Sequence, residues 1–168
     1  MTNEELEQKV KRLEEQLTEV RIKLLESKAD KKPYEVKVPE DIGNYYYVSE
    51  SGDIDLVEDV FHDIDYEGLY LRGLAFKTKE EAEQFDKERI LLFKLHKWAE
   101  EHNEGWKPNW NDFKEKQYYV IYDYEDKQFY VRYEHYSETF TKLPYFKSYN
   151  LALQFIDEFG EKIKEVLY

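Results

Sequence analysis

Six apolar residues near the N-terminus, Leu6, Val10, Leu13, Leu17, Val20 and Leu24, follow one another at intervals of 4, 3, 4, 3 and 4. No β-strand carries that period. It is the heptad seam of a helix, with Val10, Leu17 and Leu24 at a and Leu6, Leu13 and Val20 at d. The seam is flanked by charge: Lys9 at g meets Glu14 at e of a parallel neighbour. Only Ile22 and Leu25 widen the stripe, whereas a helix lying on a globular body presents a broader apolar face. The expectation is an N-terminal coiled-coil helix over residues 1–30 that self-associates through these six residues, with a dimer first. Leu at a leaves a trimer or higher state open, and the alternative is a single amphipathic helix packed on the body.

Residues 27–39 form a polar linker closed by Pro33 and Pro39, and the body begins near Ile42. It reads as α+β, as two copies of one ββα-like unit with antiparallel tyrosine-rich hairpins packed on helices. The division expected is a linker over 31–41, a first repeat over 42–113 and a second over 114–168. The first copy opens with a strand at 45–48, turns at Ser51-Gly52-Asp53 and returns around 54–57. A further strand is expected over 68–76. Thr78-Lys79-Glu80-Glu81 is a capping box that starts a helix running to about His102. Ala82, Phe85, Leu92, Leu95 and Ala99 share its apolar face, broadened by Leu91 and Trp98, and Gly105 and Pro108 end it. The second copy has strands at 118–122 and 129–136 around a turn at Glu125-Asp126-Lys127. Ser148 then caps a helix bearing Leu151, Ala152, Phe155, Ile156, Phe159 and Ile163. Phe76-Lys77-Thr78 with Ala82 and Phe85 falls on Phe146-Lys147-Ser148 with Ala152 and Phe155 at a constant offset of 70 residues. Trp106 and Trp110 are expected to pin the connector to the core.

Charge is unevenly spread. Residues 1–32 hold eight acids and eight bases, whereas residues 40–71 hold ten acids and neither Lys nor Arg, out of a net charge of −13. Such a field repels phosphate backbones and attracts basic surfaces, which disfavours direct nucleic-acid binding. The carboxylates alternate with Ile54, Leu56, Val57, Val60, Phe61, Ile64 and Tyr66, an apolar content that disordered acidic tails lack. The expectation is an ordered acidic surface that docks on a basic groove and imitates phosphate spacing. Asp53, Asp55, Glu58, Asp59, Asp63, Asp65 and Glu67 are its candidate contact residues.

Chemistry finds little purchase. The chain has no cysteine, which excludes a disulfide framework, a thiolate zinc site and a cysteine nucleophile. His62, His96, His102 and His135 stand in no zinc-ligand spacing, and the six glycines form no phosphate loop. Asp63-Ile64-Asp65-Tyr66-Glu67-Gly68 opens like a calcium loop, but position 12, which needs a bidentate carboxylate, is Leu74. Aromatics on the second hairpin resemble a base-stacking platform, yet Lys127 and Arg132 are the only cations between Tyr118 and Tyr136, so the electrostatic funnel is missing. No cofactor, metal or catalytic residue is expected. No run is apolar enough for a membrane span, and no apolar leader follows the N-terminus, so a cytoplasmic, non-membrane protein is expected.

The tyrosine run at 45–48, the segment Gly73-Leu74-Ala75-Phe76-Lys77-Thr78-Lys79-Glu80-Glu81-Ala82 and the run at 118–124 resemble a loose group of small, acidic, tyrosine-rich accessory proteins of phages and prophages of Gram-positive bacteria. The likeness covers residues 44–168 and leaves the coiled coil outside. It implies no catalytic residue. What it implies is context: a non-catalytic inhibitor acting in the host cell on a basic nucleic-acid enzyme, such as a CRISPR effector or another defence nuclease. The alternative is an assembly or scaffolding module that works through the coiled coil. A third possibility, an enzyme, lacks any localised constellation.

Overall fold

The computed structural model describes residues 3–29, 34–59 and 65–168, with the side chains of the first helix described from Leu6 to Leu24. The chain is α+β and divides into two compact units, Met1–Lys37 and Val38–Tyr168. The first unit contains α1 (Asn3–Ala29). Its sequence has neither Gly nor Pro and is rich in Glu, Lys, Leu and Arg, all good helix formers. Local bonds support it: Thr18 Oγ1 donates to the Glu14 carbonyl at 2.8 Å, and Lys23 pairs with Glu19 at 2.8 Å.

The second unit opens with a 3₁₀ turn, Ile42–Asn44, and the hairpin of β1 (Tyr46–Val48) and β2 (Ile54–Leu56). Gly52 supplies the positive φ (91°) that the connection requires, and the Ser49 N–H closes it on the Asp53 carbonyl at 2.8 Å. A second 3₁₀ turn, Val57–Asp59, follows, with Val57 wholly buried and its N–H donated to the Tyr45 carbonyl at 2.8 Å.

The strand expected over 68–76 is not there. Residues Tyr66–Leu71 form a short helix, α2, and only Ala75–Phe76 (β3) pairs with β1. Capping at both ends overrides the β-preference of the tyrosines. Asp65 caps the start, its carboxylate accepting the Gly68 N–H at 2.9 Å. At the other end Gly73 adopts φ 70°, its N–H bonds the Tyr70 carbonyl and the Leu74 N–H bonds the Leu69 carbonyl, a Schellman closure.

The long helix α3 (Lys79–His102) starts as expected. Thr78 accepts the Glu81 N–H at 3.2 Å and the Glu81 carboxylate accepts the Thr78 N–H at 3.1 Å. After it, Gly105 takes φ 81°. Asn103, almost fully buried, fastens the distant segment before the last helix, donating to the Tyr145 carbonyl at 2.9 Å and accepting the Lys147 N–H at 3.0 Å. In the connector, Trp106 donates to the Glu115 carboxylate and Trp110 sits edge-on to Tyr145 at 5.3 Å. The second hairpin, β4 (Gln117–Asp123) and β5 (Gln128–Glu134), pairs without a bulge from Gln117↔Glu134 to Asp123↔Gln128. Asp123 shapes its turn by accepting the Glu125 and Asp126 N–H groups. The final helix, α4 (Tyr149–Leu167), is capped by Ser148, as the sequence indicated.

One core joins α3, the second hairpin and α4: Leu91, Leu95 and Ala99 of α3, Val120 of β4, Leu143 and Phe146, and Leu151, Ala152, Phe155, Ile163 and Val166 of α4. Leu91, expected to broaden the α3 stripe, is buried in this core. Phe85 turns instead to Phe76, 4.8 Å between rings. The two halves share a pairing: Tyr46 stands opposite Phe76, and Tyr118 opposite Phe146, each Phe two residues before a helix cap. Among the described residues no helix is long and apolar enough to cross a membrane.

Candidate protein-interaction surfaces

The acidic segment is carried by β2, the Val57–Asp59 turn and α2. Alternation along β2 sends Ile54 and Leu56 to one face and Asp55 to the other, with Asp53 two residues before it in the same phase. Asp55 stands opposite Tyr47 in the ladder. Burial, then Asp55, then Asp53 raise the Tyr47 phenol above its ordinary pKa. Ser51 Oγ donates to Asp53 at 2.7 Å, which holds that carboxylate at the hairpin tip. Glu58 and Asp59 are exposed directly after buried Val57. Asp65 and Glu67 are exposed at the start of α2. The Val57–Asp59 turn and α2 both pack on the Ile42–Asn44 turn, which brings their carboxylates to a common support, and Tyr70 of α2 meets Tyr45 edge-on at 5.8 Å.

Asp63 lies outside the described residues, as do Val60, Phe61, His62 and Ile64. Ile54, Leu56, Val57 and Tyr66, the other expected apolar anchors, are buried or half-buried. Every ion pair among the described residues, such as Arg89–Asp86, Lys142–Glu88 and Lys147–Glu104, uses an acid outside residues 40–71. The acidic face is therefore not neutralised from within the described part of the chain. Helix α2 and its Asp65 cap were not expected from the sequence; what fixes them is Asp65 three residues before Gly68, with Gly73 beyond.

The seam residues of α1 are all exposed, from 41% for Leu6 to 62% for Val20, with Val10, Leu13, Leu17 and Leu24 between them. Single exposed apolar residues are ordinary on a protein surface. Along α1 every described side chain, on the seam and off it, is exposed, so it is the heptad spacing that singles these six out.

The described histidines are all engaged with backbone carbonyls: His96 with Lys142, His102 with Trp98 and His135 with Glu115, at 2.8–3.2 Å. A carbonyl only accepts, so each facing ring nitrogen carries the proton. His102 also stacks on Trp98, 3.9 Å between ring centres. Within the calcium-loop-like run, Asp65 is spent on its helix cap. Among the described residues no group of three His, Asp or Glu side chains could hold a metal ion. No family model matches the chain, and neither a curated protein nor a solved structure is significantly similar to it.

Proposed function

We propose that the protein is a non-catalytic inhibitor whose acidic face, Asp53, Asp55, Glu58, Asp59, Asp63, Asp65 and Glu67, docks on the basic groove of a host nucleic-acid enzyme. The observation that carries this is the exposure of these carboxylates, Asp63 aside, on a framework anchored by buried Val57, with no ion pair among the described residues to neutralise them. A fixed acidic surface attracts a nucleic-acid channel at long range and fits phosphate subsites without reorganising. The resemblance to phage accessory proteins of Gram-positive bacteria points to a defence nuclease, with a CRISPR effector first, acting in the host cytoplasm.

Two parts of the chain serve this role differently. The paired geometry of Tyr46 with Phe76 and Tyr118 with Phe146 supports a body of two ββα-like repeats, 42–113 and 114–168. Only the first carries the acidic segment, so that segment is the functional divergence between them. The exposed seam Leu6, Val10, Leu13, Leu17, Val20, Leu24 supports a coiled coil over residues 1–30, joined to the body by a linker over 31–41. A parallel dimer satisfies the Lys9–Glu14 pairing and raises occupancy by avidity.

The test is inhibition of target-DNA cleavage by a guide-loaded CRISPR effector nuclease from a Gram-positive host. Amide substitution at Asp53, Asp55, Asp59, Asp63 and Asp65 is expected to weaken inhibition at least tenfold, and added salt to slow association. Unchanged inhibition by the amide variant sinks the electrostatic reading. The exposed seam also favours a second reading, an assembly module: full activity of a chain with an intact seam but an amidated acidic face would select it.

A further inference from the structure

The longest open sheet edge among the described residues belongs to β5. The Tyr118 N–H and C=O are both bonded to Phe146, so they point away from β5. Backbone direction alternates along an antiparallel ladder, so Tyr119, Ile121 and their neighbours in that phase bond to β5. Tyr118 opposes Tyr133, which fixes the other strand. Phe129, Val131 and Tyr133 aim their N–H and C=O groups outward, and none of these groups bonds elsewhere in the described part of the chain.

Proteins usually defend such an edge with shortness, proline, a bulge or inward charge. The β2 edge is three residues long, with Asp53 before it and Asp55 in its middle; β3 has two residues. β5 has seven residues, unbroken register, no Pro and no Lys. Beside it lies an exposed apolar stripe. Tyr149 and Leu153 are four residues apart on α4, 49% and 43% exposed, and Tyr133 is 47% exposed. Tyr149 and Tyr133 both contact Tyr118, which places them at one end of the hairpin. Further along the same helix, Ile156 and Gly160 line a groove with Phe129 of β5.

The side chains of β5 say what fits this edge. Two copies of Gln128-Phe129-Tyr130-Val131-Arg132-Tyr133-Glu134, set antiparallel about a two-fold axis at Val131, pair Gln128 with Glu134, Phe129 with Tyr133 and Tyr130 with Arg132. An amide meets a carboxylate, an aromatic meets an aromatic, and a cation meets a ring, with no like charges opposed. Arg132 already lies over the Tyr130 ring of its own strand, 5.8 Å from its centre. In this register every outward N–H meets an outward C=O, and the apolar faces stay on one side of the sheet.

We infer that β5 is a self-association edge: two copies of this chain join β5 to β5 into a continuous four-stranded sheet, independently of the α1 seam. The interface is isologous, so it closes at two copies. Together with the seam it gives each chain two homotypic contacts.

The chain contains no cysteine, which makes disulfide trapping clean. The experiment is Gln128→Cys with Glu134→Cys in the full chain carrying Leu13→Glu and Leu17→Glu, so that the seam cannot contribute. Residues 128 and 134 lie at opposite ends of one strand and cannot bridge within a chain, whereas they are direct neighbours between chains. Under mild oxidation most chains are expected to migrate as a covalent dimer that a thiol reductant reverses. Gln128→Cys alone is expected to stay uncoupled under the same oxidation, because the two copies of residue 128 are a strand-length apart. Adding Val131→Pro to the cysteine pair, which removes an outward N–H and leaves the β4 ladder intact, is expected to abolish coupling. No coupling in the cysteine pair, or equal coupling in the single-cysteine or proline variant, overturns the inference. Neither result bears on the acidic face, which these substitutions leave untouched.

Discussion

Tyr47 and Asp55 face one another across the first hairpin, and their opposition is a consequence of register. A phenol ordinarily ionises near pH 10. In the folded chain burial and the two carboxylates Asp55 and Asp53 hold Tyr47 neutral to higher pH, and burial does the same for Tyr145 and Tyr168. The unfolded chain therefore releases these protons first as pH rises. Their contribution to stability is complete below the unfolded phenol pKa and is lost as pH climbs above about 10. Thermal unfolding followed across alkaline pH should show Tm falling in that window. Asp55→Asn should bring part of the tyrosinate absorbance to lower pH in the folded state. Glycine offers a second check at this scale. Gly160 lies inside α4, and an added methyl group would meet the Phe129 ring at 3.5 Å, an ordinary contact. Gly160→Ala is expected to stabilise the body by about 0.5–1 kcal/mol, from helix propensity alone. Gly73→Ala, at φ 70°, should cost about 1 kcal/mol, because it strains the closure of α2. Denaturant midpoints decide both.

At the scale of elements, the caps carry disproportionate weight. Thr78→Ala and Ser148→Ala should each cost about 1 kcal/mol in equilibrium unfolding, since each strands a backbone N–H at the head of a core helix. Both caps were legible in the sequence because the signal is local: an oxygen side chain, three residues, then a partner. The hairpins were legible for a similar reason, alternation around a polar turn. Helix α2 was not. Tyr66 and Tyr70 favour strands, and what decides against a strand is Asp65 at one end and Gly73 at the other. The α1 seam was legible as a period, and its residues are exposed along the helix. With Leu13→Glu and Leu17→Glu, the helical ellipticity of the first unit is expected to lose any dependence on protein concentration, because the seam can no longer hold a second helix. The body's unfolding transition should not move. Equal ellipticity at all concentrations in the unsubstituted chain would mean that the seam has no occupant.

For the whole molecule, the count and place of the acidic residues were legible, but their presentation was not. Exposure depends on which neighbours fold over them, and Val57, Tyr45 and the Ile42–Asn44 turn are what hold the carrier elements in place. The same limit hid the β5 edge, since a sequence does not reveal which strand lacks a neighbour. The resulting division of labour is testable by parts. Under the two proposals above, the α1 seam and the β5 edge would bring copies together, and the acidic face of the first half would meet a different protein. Charge is the term that connects the last step to function, so it is the term to vary. The direct measurement is the rate of target-DNA cleavage by a guide-loaded CRISPR effector nuclease, at two salt concentrations, with the unsubstituted chain and with the variant carrying amides at Asp53, Asp55, Asp59, Asp63 and Asp65. Inhibition is expected to weaken with salt and to fall at least tenfold in the variant. Inhibition of equal strength by both chains, or none by either, would contradict the proposed function.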